Sequence, residues 1–141
     1  MILFCDTSAL IKLLINEPGS DQMAESSSQA EAIAVCRITW VEAMAGMARH
    51  QREDPISGDD IEQARQRLIH SWNQFSIVEV TQPLVEKAGR FADVFALRGY
   101  DSVQLAAAHE LDQSTDQPLT FACFDRRLNQ AAQLLQLEIL Q

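Results

Sequence analysis

The stretch ILFCDTSALIKLL, residues 2–14, decides the fold class. Its four opening apolar residues, Ile2 to Cys5, are too few for a helix and suit a strand buried on both faces. Asp-Thr-Ser stops that run. Ala9, Leu10, Leu13 and Leu14 then recur at helical spacing until Pro18-Gly19 breaks the pattern. The same order of strand, aspartate and helix returns near the other end in LTFACFDRRLNQAAQL, residues 119–134. Buried strands that alternate with helices predict an α/β fold with a central, mainly parallel sheet flanked by helices.

The intervening chain keeps the alternation. Ala32 to Cys36 reads as a second strand and leads into ITWVEAMAGMARHQ, a helix that ends in the polar segment REDPISG. Asp59 and Glu62 are spaced as a capping box, ahead of a helical face of Ile61, Ala64, Leu68, Ile69 and Trp72. A short strand is expected at Ile77 to Val80. From Pro83 a stripe of Leu84, Ala88, Phe91 and Phe95 marks a helix ending before Gly99, and another helix is expected to start at Asp101. LEIL, residues 137–140, reads as a last strand. Gly46, in the middle of its helix, suggests close approach of another backbone, from a neighbouring helix or a dimer partner.

The chain has 141 residues, 47% hydrophobic and 22% charged, which fits one globular domain over 1–141 and excludes a disordered chain. Its three cysteines form no CxxC pair and sit in apolar runs, so they read as reduced core thiols. No signal-peptide pattern or membrane-length apolar run stands out, and the expected location is cytoplasmic. The net charge of −9 opposes non-specific binding to a polyanion, although acids neutralised by bound cations would account for part of it.

Four acids stand out by position. Asp6 and Asp125 directly follow strands, so both are expected at the carboxyl edge of the sheet, where open α/β sheets hold their ligands. Asp101 opens a helix whose following residues, Val103 and Leu105 to Ala108, are apolar enough to bury it. Glu42 is the only charged residue between Ile38 and Ala48, in a helix read as buried nearly all round. Taken singly, each aspartate has a plain structural reading as a helix N-cap stabilising by about 1 kcal/mol, and Asp101 has Gln104 at the capping-box position. For Glu42 the structural alternative is a buried salt bridge. Convergence of all four on one cleft would require a cation, and all-oxygen ligation selects Mg²⁺ or Mn²⁺ over zinc. His50 and His70 lie in polar helix ends, and His109 falls about 12 Å beyond Asp101 along its helix, so none is read as a ligand. Mg²⁺ on a few carboxylates supports hydrolysis of phosphodiesters.

With these residues in place the chain resembles the PIN-domain nucleases, and among them the VapC-like toxins of toxin-antitoxin pairs. ILFCDTSALIKLL is similar to the family's first strand and Asp-Thr-Ser motif, ITWVEAMAGMAR to the helix with its glutamate, LRGYDSVQLAAA to the third motif and FACFDRRLNQAA to the fourth. The resemblance implies a three-layer sandwich, Mg²⁺ or Mn²⁺, endonucleolytic cleavage of RNA, a homodimer, and a cognate antitoxin that blocks the cleft. It assigns metal binding to Asp6, Glu42, Asp101 and Asp125 and a supporting hydroxyl to Ser8. The chain departs from the family's pattern at Cys123, where Thr or Ser is usual.

Lys12, Arg49, Arg98, Arg126 and Arg127 flank the motifs and are candidates to meet RNA phosphates; solvated helix surface is the alternative for each. Other functions remain open at this level: an RNA-processing or structure-specific DNA nuclease of the same fold, or a catalytically silent binding module. A phosphotransferase using Asp6 as nucleophile fits less well, because the acid it needs two residues on is Ser8.

Overall fold

In the computed structural model, which describes residues 1–140, five strands form one sheet in the order β3-β2-β1-β4-β5, with every neighbouring pair parallel. The strands are β1 (Ile2–Cys5), β2 (Ala32–Cys36), β3 (Ser76–Val78), β4 (Leu119–Ala122) and β5 (Glu138–Ile139). Seven α-helices connect and cover them: α1 (Thr7–Leu14), α2 (Ser20–Gln29), α3 (Thr39–Glu53), α4 (Gly58–Ser71), α5 (Gln82–Phe95), α6 (Gly99–Ser114) and α7 (Arg126–Leu134).

The period-two geometry of a strand splits its side chains between two cores. Ile2 and Phe4 of β1 enter one apolar cluster with residues of α5, α6 and α7, whereas Leu3 and Cys5 enter a second with residues of α1 to α4. The sheet is therefore the middle of three layers. Phe4 and Phe121, paired in register on β1 and β4, stack with ring centroids 6.0 Å apart. All three cysteines are buried and free. No described helix is long and apolar enough to cross a membrane.

Several local expectations need correction. Helix α2 was not foreseen; its serine-rich sequence buries only Met23 and so has almost no apolar stripe to read. The strand expected at Ile77 to Val80 is Ser76–Val78, and that expected over 119–124 ends at Ala122. The Asp59–Glu62 capping box does not form: α4 begins at Gly58 with Ser57 as N-cap, and Glu62 instead accepts hydrogen bonds from Arg65 and Gln66. Ile69 is exposed and lies off the buried face of Ile61, Ala64 and Leu68. A Cβ on Gly46 would meet only the Ile11 side chain, at an ordinary 3.7 Å, so no backbone crowds this glycine.

Between β1 and β4 the strand order reverses direction, with β2 and β3 on one side and β5 on the other. In parallel sheets this switch opens a crevice at the carboxyl ends of the two strands. Asp6 leaves β1 and Asp125 follows β4 on that edge.

Candidate active site

Asp6 is fixed from three directions. Its backbone N–H continues the sheet by donating to the Ala122 carbonyl at 3.1 Å. Its side chain caps α1 by accepting from the Ala9 N–H at 3.0 Å, and the Ser8 hydroxyl donates to the same oxygen at 2.7 Å. Ser8 in turn accepts from the Phe124 N–H at 3.0 Å, tying the Asp6 loop to the end of β4. Only 5% of Asp6 is exposed. Burial pushes its carboxyl above the ordinary range, the Asp101 charge adds to this, and hydrogen bonds from Ser8, Cys123 and Ala9 offset part of it. One Asp6 oxygen thus serves both the helix cap and the Ser8 bridge to β4.

Cys123 takes the place of the expected hydroxyl. Its thiol donates to the Asp125 carbonyl at 3.7 Å, accepts from the Asp125 N–H at 3.2 Å, and stands close enough to Asp6 to lower that carboxyl. Burial, and then the charge of Asp6, hold the thiol protonated well above its usual range. A protonated thiol can donate to a carboxylate, as a hydroxyl would.

Glu42 lies on the first turn of α3, but its surroundings are not the apolar ones expected. Val41 beside it is 61% exposed and Glu42 itself is half-buried. Its Oε1 accepts from the Thr7 hydroxyl at 2.7 Å and from the Gln104 amide at 2.8 Å. The Gln104 Nε2 also donates to Thr39 at 2.8 Å, while its own Oε1 is buried without a partner among the described residues. Turning the amide over would set that oxygen against a carboxylate. The expected Asp101–Gln104 capping box is therefore absent: α6 begins two residues earlier, at Gly99, and Gln104 is spent on Glu42. Thr7 and Gln104 were not foreseen. Gln104 carried the signal that had drawn attention to Glu42, a single polar residue in the buried run VQLAAA.

Asp101, in the first turn of α6, has its carboxyl raised by burial and then by the charges of Asp125 and Glu42, against a smaller opposite effect of Arg98. Through Asp101 the four acids are electrostatically linked. Asp125 is exposed and caps α7 through the Leu128 N–H at 2.9 Å. Among the described residues none of the four forms an ion pair, and no three His, Cys, Asp or Glu side chains are gathered closely enough to hold a metal ion as they stand. Glu42 and Asp101 line one open hollow, and the four acids do not form a closed cage. That donor set fits Mg²⁺, which takes one or two carboxylates directly and keeps several waters.

Two hollows meet at Glu42. One, of about 660 Å³, lies between α5 and the start of α6 and includes Asp101 and Arg98. The other, of about 750 Å³, runs between α1 and α3 and gathers Lys12, Arg49, His50 and Arg52 together with Glu17 and Glu53. Arg49 and Arg98 are exposed beside the acids, and Arg52 joins them without having been foreseen. Lys12 is already engaged, paired with Glu17 at 3.0 Å and set over the Phe124 ring at 4.7 Å. Arg126 and Arg127 are exposed on α7 and line neither hollow. Of the histidines, His50 and His70 are exposed and His109 packs against Phe91.

The family description "PIN domain" matches residues 3–134. Ribonuclease VapC45 of Mycobacterium tuberculosis is 30% identical over 131 residues, spanning 93% of this chain and 89% of that protein. Among solved structures, a toxin-antitoxin complex from Klebsiella pneumoniae aligns with a TM-score of 0.62 at 22% identity, covering 89% of this chain and 87% of that chain. VapBC2 from Rickettsia felis, bound to a DNA fragment from its promoter, aligns with a TM-score of 0.68 at 13% identity, covering 99% and 97%. At these identities the two structures show a shared fold.

Proposed function

This chain belongs to the PIN-domain family, and from that premise we infer that it is a divalent-metal-dependent endoribonuclease, the toxin of a toxin-antitoxin pair. The observation that supports the reading is that Asp101 repels Asp6, Glu42 and Asp125, the four acids coming from separate parts of the sequence, while no cationic side chain among the described residues is paired to any of them. Buried or mutually repelling carboxylates without a partner are costly, and a bound cation removes that cost. Mg²⁺ or Mn²⁺ held there would supply charge neutralisation at the phosphate and a more acidic water.

The chain's own residues do the positioning. Ser8, Cys123 and the Ala9 N–H hold Asp6 in one orientation, and Thr7 and Gln104 do so for Glu42. Asp101 feels the charges of Glu42 and Asp125 and acts on Asp6, and Asp125 is the exposed member of the set. Arg49, Arg52 and Arg98 provide local positive charge at which an RNA backbone could dock despite the net charge of −9. The relatedness to Ribonuclease VapC45 supports RNA as substrate, and the likeness to toxin-antitoxin complexes supports an antitoxin partner. A homodimer is part of the same proposal.

The test is incubation of the purified protein with tRNA, rRNA and DNA in Mg²⁺ or Mn²⁺. Cleavage of RNA should stop with chelator and fall at least about 100-fold in Asp101→Asn. Cleavage that survives in Asp101→Asn, or no cleavage of any RNA with either metal, overturns the reading.

A further inference from the structure

The hollow of about 660 Å³ between α5 and α6 falls within the size range of small-ligand sites. Val85, Gly89 and Ala92 of α5 and Gly99 and Tyr100 of α6 form its walls, and Glu42 and Asp101 its polar end. Two features of these walls are not required by the fold. Gly89 stands in the middle of α5, where glycine weakens a helix relative to alanine, yet a Cβ there would meet nothing within 4 Å. A Cβ on Gly99 would also meet open space. Packing demands neither glycine, and both keep the hollow wide beside the acids. The second feature is Tyr100, the one tyrosine of the chain, which is 68% exposed. It adjoins Asp101 in sequence and borders both hollows that meet at Glu42.

An exposed aromatic ring beside a phosphodiester-cleaving site is a platform on which a base can stack, provided that base is free of a duplex. We propose that this hollow receives an unpaired nucleobase next to the cleaved phosphate, stacked on Tyr100, with Arg98 meeting the adjoining backbone. The proposal rests on the ribonuclease reading and adds to it the residues that would hold a base beside the scissile phosphate. A base within a helix has neither face open and cannot enter. Because the walls are largely apolar, the subsite reads the presence of a base more than its identity.

The test compares wild type with Tyr100→Ala, Tyr100→Phe and Gly89→Leu. Binding to a fluorescent single-stranded RNA oligonucleotide and to the same sequence as a duplex is followed by anisotropy, and cleavage of both is followed with Mn²⁺. Wild type should prefer the single strand. Tyr100→Ala should bind it about tenfold more weakly, the loss of one stacked base, and Tyr100→Phe should retain affinity. Gly89→Leu should lower RNA affinity while its melting temperature holds or rises, a combination that a purely structural glycine does not give. Wild type that cleaves RNA while Tyr100→Ala and Gly89→Leu bind and cleave like it overturns the subsite and leaves the ribonuclease reading standing. Equal affinity for duplex and single strand also overturns the subsite. Wild type that neither binds nor cleaves removes both. A cellular protein that copurifies with wild type and is lost in Gly89→Leu, with RNA affinity unchanged, gives the hollow to a protein segment instead.

Discussion

At the residue scale, the acids differ in how they are held. Asp6 is buried, caps a helix and carries a carboxyl raised mainly by burial. An acid with a raised folded-state pKa keeps its proton where the unfolded chain has lost it. It therefore favours folding below the ordinary carboxylate range and opposes folding as pH rises through the raised value. Asp6→Asn removes that penalty and keeps a capping side chain. In chelator its melting temperature should exceed that of wild type by a margin that widens from acid pH towards neutrality, and added Mg²⁺ should shrink or reverse the margin. A margin independent of pH would show that Asp6 is not the strained group. Gln104 donates its amide N–H to Glu42, and in the proposed site it would be a positioning residue. Gln104→Leu should weaken Mn²⁺ binding about 10–100-fold in a calorimetric titration, as loss of an orienting partner does elsewhere.

At the scale of elements, helix ends place the chemistry. Asp6 and Asp125 cap α1 and α7, and Asp101 lies in the first turn of α6, so the helices that follow the strands aim three acids at one edge of the sheet. The turn from α5 into α6 is made by Ala96, whose φ of 54° and ψ of 46° are left-handed and unfavourable for a residue with a Cβ. Only two residues separate it from Gly99, so the tight reversal fixes where α6 begins and hence where Asp101 stands. Ala96→Gly should stabilise the protein by about 1 kcal/mol, seen as a rise of about 2–4 °C in melting temperature, with RNA cleavage unchanged.

At the scale of the whole molecule, with a net charge of −9, a metal ion bound at the proposed site would be a stability ligand as well as a cofactor. A cation that binds only the folded state stabilises it by about 2.7 kcal/mol at a hundred times its dissociation constant. The melting temperature should rise with Mg²⁺ or Mn²⁺ concentration in wild type, return to its starting value with chelator, and stay flat in the Asp6→Asn, Asp101→Asn double variant. An equal rise in that variant would assign the effect to general screening of negative charge. The two hollows at Glu42 divide its surroundings, one lined by charged residues of both signs and the other largely apolar, so in the proposed reading backbone and base contacts would have separate places.

The sequence alone determined the alternation of strands and helices, because apolar periodicity is local and its period distinguishes the two. It also determined the sheet's parallel character and the strand-end positions of Asp6 and Asp125, which follow from chain order. Sequence could not reveal the partners of Glu42. Thr7 and Gln104 lie far apart along the chain, and only the packing of α1, α3 and α6 over the sheet brings them to one carboxylate. The same limit explains why Gln104 read as half of a capping box: the local pattern allowed that bond, but a buried amide goes to whichever acceptor the tertiary structure places against it. Asp6 and Asp101 likewise depart from ordinary carboxyls because of burial and the charges of other acids, Asp101 acting on Asp6 and Asp125 and Glu42 acting on Asp101, and both are properties of the folded molecule.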